Sequence, residues 1–137
     1  MPIQPYLFFD GRCEEAIEFY KRRLGAEQTM LLRWKDSPDP SMSMPGNEEK
    51  IMHARFRVGA TDIFASDGRC TGQTSFQGFA LSFTVRDEDE ARRRFDALSE
   101  GGQVQMPLSK TFFSPSFGMV ADRFGVSWMI YVEPEGQ

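Results

Sequence analysis

Few side chains in this chain do chemistry near neutral pH: one histidine, His53, and two cysteines, Cys13 and Cys70. His53 stands in the run Met52-His53-Ala54-Arg55-Phe56-Arg57-Val58. Strand alternation puts Arg55 and Arg57 on the face of His53 and Ala54, Phe56 and Val58 on the other. Lining a cavity, His53 would serve as acid, base or hydrogen-bond partner, because imidazole titrates near neutrality. The plainer reading is a structural hydrogen-bonder. Arg55 could fix a carboxylate or phosphonate through its fork of donors, or be a surface or interface charge. Cys13 opens a helical pattern, where the helix dipole would lower a thiol pKa. Glu14 and Glu15 oppose that effect and no second histidine exists to activate the thiol, so Cys13 reads as a small packing residue. The cysteines lie 57 positions apart and fit neither a zinc spacing nor a disulfide framework. Reduced thiols in a cytoplasmic protein are the expectation.

The aromatic residues Trp34, Phe112, Phe113, Phe117 and Trp128 could wall a cavity, although core packing explains large rings equally well. Met42, Met44 and Pro45 fall in a long loop that would be either a lid or a disordered excursion. The basic run Arg92-Arg93-Arg94 shares its helix with Glu88, Asp89, Glu90 and Asp96, so it reads as a solvated face rather than a phosphate-binding stripe. With net charge −4 and a sequence pI near 5.0, no affinity for nucleic acid or anionic membrane is expected. No segment approaches the ~20 apolar residues of a membrane span. The start, Met1-Pro2-Ile3-Gln4-Pro5, has neither the basic nor the apolar region of a secretory signal.

These residues need elements to position them. Tyr6–Phe9 reads as a short strand closed by the turn signal Asp10-Gly11. Cys13, Ala16, Ile17, Tyr20 and Leu24 recur at helical spacing, with acids first, Lys21, Arg22 and Arg23 last, and Gly25 as the stop. A helix over 13–24 follows. Strands are predicted at Thr29–Lys35, Met52–Val58 and Asp62–Ser66, the last two joined by Gly59-Ala60-Thr61. Asp36–Asn47, with three prolines and three serines, is a loop, and Asp67–Gly78 a linker. Then the order repeats: a strand from Ala80 to Val85, a helix capped by Asp87 with Glu90 three residues on, and Gly101-Gly102 as its end. Gln103–Met106, Gly118–Asp122 and Val126–Val132 complete three more strands.

The halves align loosely. Ala16 and Tyr20 precede Ala91 and Phe95 by 75 positions, and Gly59 precedes Gly125 by 66. The fold class is therefore α+β: one domain spanning 1–137, built of two βαβββ modules at about 4–67 and 79–133. A βαβββ unit covers one sheet face with its helix and leaves the other bare. Two such units are expected to pair around a shared cavity that would hold a small molecule.

The paired order resembles the vicinal-oxygen-chelate superfamily, which includes glyoxalases, extradiol dioxygenases and antibiotic-resistance proteins. Within it the chain is similar to the PhnB-like group. The resemblance rests on Pro5-Tyr6-Leu7-Phe8-Phe9, Glu14-Glu15-Ala16-Ile17-Glu18-Phe19-Tyr20, Leu24-Gly25-Ala26-Glu27, Ile51-Met52-His53-Ala54, Ser66-Asp67, Met106-Pro107-Leu108 and Asp122-Arg123-Phe124-Gly125-Val126-Ser127-Trp128. It implies a glyoxalase-like fold and, in the superfamily's enzymes, a divalent ion held from the first and last strands of each module. Counted along this chain, the four ligand places fall on Pro5, Phe64, Leu81 (or Ala80) and Met129, with Asp62 or Ser66 within reach of one place. That set predicts no metal and no cofactor.

Three activities follow from the resemblance. The favoured one is a PhnB-like, metal-independent small-molecule binder or enzyme with His53 catalytic and Arg55, Trp34, Ser66, Phe112 and Trp128 binding. A divalent-metal lyase or dioxygenase is the second, and the ligand places oppose it. Relatives labelled ubiquinone-type methyltransferases give the third. An adenosyl donor wants a Gly-rich loop between a strand and a helix N-terminus, and Gly101-Gly102 follows a helix instead. A non-catalytic dimeric interaction module is a further alternative. The superfamily's short modules commonly associate, and thirteen Phe and two Trp leave apolar surface to spare, so a homodimer is expected.

Overall fold

Asp10 and Gly11 turn the chain sharply, both at positive φ (51° and 102°), between the first strand and the first helix. The computed structural model of the protein describes residues 2–39, 44–70, 72 and 74–134. It holds two four-stranded sheets, each with one helix. Strand β1 (Tyr6–Phe8) leads into helix α1 (Cys13–Leu24), then β2 (Glu27–Arg33), β3 (Ile51–Val58) and β4 (Thr61–Ser66). The second set is β5 (Leu81–Val85), α2 (Glu88–Ser99), β6 (Gln103–Ser109), β7 (Phe117–Ala121) and β8 (Ser127–Val132). Backbone contacts divide the chain into two compact units, Met1–Thr74 and Ser75–Gln137.

In the first unit the strand order is β1-β4-β3-β2, with β1 parallel to β4 and the other pairs antiparallel. Helix α1 buries Ala16, Ile17, Phe19, Tyr20 and Leu24. The strands bury Leu7, Ala54, Phe56, Val58, Ile63 and Ala65, and Tyr20 stacks on Phe56 with ring centroids 5.6 Å apart. Gly25 ends the helix at φ 68°, its N–H donating to the Tyr20 carbonyl, the left-handed cap that glycine takes without strain.

A single buried carboxylate ties this unit together. Asp67 Oδ1 accepts from the backbone N–H groups of Gly11 (2.7 Å) and Cys13 (2.8 Å), and Oδ2 accepts from Ile51 N–H (2.8 Å). It thereby satisfies a donor at the start of α1 that no side chain of the helix itself caps. Cys13 lies fully buried beside it, and burial first, then the charges of Asp67 and Glu14, push its thiol pKa up.

The second unit repeats the order as β5-β8-β7-β6. Ala91, Phe95 and Leu98 are buried on α2, against Val120, Trp128, Ile130 and Val132. Gly118 sits under that helix: a Cβ there would come within 2.8 Å of the Phe95 ring. Asp87 caps α2, its Oδ1 accepting from Glu90 N–H at 2.8 Å, while Glu90 reaches back to accept from Arg86 N–H rather than from the cap residue. Asp122 plays a part like that of Asp67, accepting from Phe124 and Val126 N–H and from Trp128 Nε1–H (2.9 Å). Both aligned hairpin glycines, Gly59 and Gly125, take positive φ (59° and 92°).

Some boundaries differ from the sequence reading. The second strand begins at Glu27, not Thr29, and stops at Arg33. Asp36 Oδ2 accepts from Arg33 N–H and closes Trp34–Asp36 into a short 3-10 turn where strand was expected. Strand β6 runs through Pro107 to Ser109, three residues beyond the predicted end. It is an edge strand, so the missing proline N–H costs no ladder bond.

Candidate functional site

Strand alternation sorts the first sheet into two faces. Ala54, Phe56 and Val58 of β3 are buried, whereas Arg55 and Arg57 are exposed. Register extends that sorting across the sheet. His53 lies opposite Leu32, Arg55 opposite Met30 and Phe64, and Phe64 opposite Tyr6. The face away from α1 therefore carries Tyr6, Phe8, Leu32, His53, Arg55 and Phe64 together.

These groups touch. Tyr6 Oη and His53 Nδ1 are 3.0 Å apart, and their rings stack with centroids 5.5 Å apart. Phe64 meets Tyr6 edge-on at 6.2 Å and His53 at 5.5 Å. The Arg55 guanidinium carbon sits 5.0 Å from the Phe64 ring centroid, within cation–π range. Phe8, packed on Tyr6 at 4.9 Å, is 56% exposed, and Tyr6 and Leu32 are each 38% exposed. Large rings left open to solvent beside a histidine and an arginine make a surface suited to binding rather than to packing.

A phenol donating to Nδ1 holds the proton of a neutral imidazole on Nε2, and in the imidazolium the bond reverses, Nδ1–H donating to the phenol oxygen. Such a pair has the chemistry to pass a proton between its two groups. Arg55 makes no ion pair or side-chain hydrogen bond among the described residues. Its neighbour Arg57 pairs with Asp62 at 3.0 Å, and that bond first, then the Arg57 charge, holds the Asp62 carboxyl below its ordinary range.

The remaining residues singled out in the sequence are not brought to this face as free groups. Ser66 is 2% exposed, and its Oγ accepts from Gly68 N–H. Trp34 is buried in the 3-10 turn, with the Arg69 guanidinium 5.3 Å from its ring centroid. Phe112 and Trp128 belong to the second unit. Trp128 is 2% exposed and committed to Asp122, a packing position, whereas Phe112 is 100% exposed at the rim of a cleft of about 460 Å³ with Arg86 and Lys110. Met44 is buried; Met42 lies outside the described residues. Tyr6, Phe8 and Leu32 were missed, because an unbroken run such as Tyr6-Leu7-Phe8-Phe9 shows no alternation. Only the parallel pairing with β4 assigns its faces.

Strand pairing also bears on the four superfamily ligand places, because two ligands of one site must share a sheet face. Pro5 precedes β1, and the residue opposite Phe64 is Tyr6; Leu81 lies opposite Trp128 on the helix side, and the residue opposite Met129 is Ser82. The residues that share a face with Phe64 and Met129 make the set a phenol, a phenyl ring, a hydroxyl and a thioether, which do not fit a hard divalent ion. Among the described residues no three His, Cys, Asp or Glu side chains converge. In the second unit Met119 stands opposite Met129 where the first has Arg55 opposite Phe64, so the second has no counterpart of Arg55 at that place.

Two four-stranded sheets, each in a βαβββ unit, define the glyoxalase/bleomycin-resistance class of fold. A domain of that class from Frankia sp. EAN1pec superposes with a TM-score of 0.64 at 15% identity, covering 100% of this chain and 95% of that one, a likeness of fold alone. The chain belongs to the PhnB-like family described as 3-demethylubiquinone-9 3-methyltransferase, which it matches over residues 1–131. Protein YjdN of Escherichia coli K12 is 36% identical over 140 residues, covering 96% of this chain and 95% of YjdN. The crystal structure of PA1353 from Pseudomonas aeruginosa is similar at 44% identity and a TM-score of 0.86, covering 97% and 98% of the two chains. A PhnB protein from Bacillus cereus, described as a putative 3-demethylubiquinone-9 3-methyltransferase, gives 29% and 0.80, covering 96% and 99%.

Proposed function

We propose that the protein is a metal-independent small-molecule-binding protein of the PhnB-like family, with its site on the open face of the first βαβββ unit. The contact between Tyr6 and His53 carries the reading. A phenol and an imidazole at 3.0 Å, set among exposed rings, can pass a proton to or from a bound molecule without a Lewis acid. His53 is the acid–base group, Tyr6 sets its tautomer, and Arg55 supplies the charge.

Methyl transfer, the activity in the family's description, finds little support in the residues. Gly101-Gly102 is the obvious glycine pair, and Gly102 is required for another reason: a Cβ there would run into the Ala121 carbonyl oxygen. The pair serves the turn into β6 rather than a nucleotide.

A fragment screen by two-dimensional NMR on the wild type, His53→Ala and Tyr6→Phe tests the proposal. Fragments that shift the Tyr6 and His53 signals should lose binding in His53→Ala, with both variants folding normally. Unchanged fragment binding together with a large loss of stability in His53→Ala would make the histidine structural and refute the proposal.

A further inference from the structure

Six of the twelve arginines of the chain stand in the ion pairs described, and Arg55 is not among them. Arg12 is paired with Glu15, Arg33 with Glu14, Arg57 with Asp62, Arg86 and Arg94 with Glu90, and Arg123 with Glu100. Arg55 has no such partner among the described residues, and Asp62, whose carboxyl feels the Arg55 charge, is committed to Arg57. Its guanidinium is held instead over Phe64, 5.0 Å from the centroid. A cation–π contact engages the charge of the group but uses none of its five N–H donors. An arginine restrained by a ring and left with its donors unused is preorganised for a planar oxyanion, which it binds bidentately.

The surroundings narrow the class further. Phe8, Tyr6 and Leu32 offer exposed apolar surface on the same face, and Tyr6 and Phe64 present rings to it. Flat rings favour a flat partner, by stacking or edge contact. The cleft of the second unit beside Phe112 does not compete: Arg86 there is paired with Glu90, and Lys110 is outnumbered by Asp87, Glu88 and Glu133, so an anion would meet net like charge.

We infer that the ligand of the first unit's open face is a small planar carboxylate, its carboxylate held by the Arg55 fork and its flat body laid on the Tyr6–Phe8–Phe64 rings. The inference rests on the function proposed above and adds the ligand class. Arg55 is the specificity-determining residue, and His53 and Tyr6 are the groups within reach of what the carboxylate orients.

The test uses the full chain and two planar aryl carboxylates, benzoate and 2-naphthoate, with benzyl alcohol and cyclohexanecarboxylate as controls, titrated by NMR at low and high salt. Saturable binding of both aryl carboxylates is expected, with shifts at Arg55 and Phe64, weaker binding of the controls, and weakening by salt. Arg55→Gln should bind the aryl carboxylates about tenfold less tightly or worse, the factor expected when a charge-assisted hydrogen-bonded pair is lost. Arg55→Lys, which keeps the charge and loses the fork, should fall between. The inference fails if neither aryl carboxylate binds, if Arg55→Gln binds them equally well, or if benzyl alcohol competes on equal terms. It also fails if the face is instead covered by a second copy, seen as concentration-dependent shifts of Phe8 and Leu32 that the carboxylates do not reverse. Other fragments that need His53 but ignore Arg55 would sink this inference and leave the acid–base reading standing. Carboxylates that need Arg55 and ignore His53 would do the reverse.

Discussion

Replacing Asp67 by asparagine removes one negative charge and one acceptor from the point where the first unit is tied together. Three backbone N–H groups converge on its carboxylate at 2.7–2.8 Å, two on Oδ1 and one on Oδ2. Asparagine has one oxygen. In its better orientation it keeps Gly11 and Cys13, and its amino group then faces the Ile51 N–H, donor against donor. Hydrogen bonds to a charged acceptor contribute about 1.5–3 kcal/mol each and neutral ones about 0.5–1.5, while an orphaned buried donor costs about 1–3 kcal/mol. Weakening two bonds and orphaning one donor comes to about 3 kcal/mol, and Asp67→Ala, orphaning all three, to about 5 kcal/mol. With a urea slope of about 2 kcal/mol/M, the midpoint should fall by about 1.5 M for asparagine and about 2.5 M for alanine. Each unit carries one tryptophan, Trp34 in the first and Trp128 in the second, so fluorescence together with circular dichroism follows both. A midpoint for Asp67→Asn within about 0.3 M of the wild type would mean that the three N–H groups find water instead, and the reasoning would be refuted.

Other outcomes follow from the same structure. Arg33 donates to Glu14 from both terminal nitrogens (3.0 and 2.6 Å), and these bonds first, then the charges of Arg33 and Lys50, hold the Glu14 carboxyl below its ordinary value near 4.5. A lowered folded-state pKa contributes stability that is present above about pH 4.5 and lost as pH falls through the folded value, so thermal melts of Arg33→Gln should lose less stability than the wild type below that pH. Native protein treated with iodoacetamide should be alkylated at Cys70 before Cys13, whose buried thiol is held protonated; peptide mapping that finds Cys13 modified first would contradict this. Chelators should leave the melting temperature unchanged and Zn²⁺, Ni²⁺ or Mn²⁺ should not raise it, whereas stoichiometric metal by elemental analysis would revive a metalloenzyme. Light scattering should report about twice the 15.7 kDa chain mass; a constant single-chain mass over a wide concentration range would exclude the dimer.

Much of the architecture was legible in the residues. Helical spacing of Cys13, Ala16, Ile17, Tyr20 and Leu24, the Gly25 stop and the Asp87 cap are local signals, and the helices formed where those signals lay. The repeated order of elements, and with it the α+β class, is likewise a sum of local patterns. So was the sorting of β3, because a period of two needs no knowledge of neighbours: Arg55 and Arg57 are exposed, and Ala54, Phe56 and Val58 are buried. What the sequence could not supply was the company those side chains keep. Tyr6 meets His53 across 47 positions only because β1 lies parallel to β4 and β4 antiparallel to β3. The same register sets Tyr6, not Pro5, beside Phe64 and Ser82, not Leu81, beside Met129, and one residue along a strand is a change of face. Trp128 resembled a cavity wall in sequence and proved a core residue because Asp122, six positions back, folds over to accept its indole N–H. Composition and period select the elements, since both act between near neighbours. Which side chains share a face is decided by hydrogen-bond register between distant strands, and that exists only once the sheet has closed.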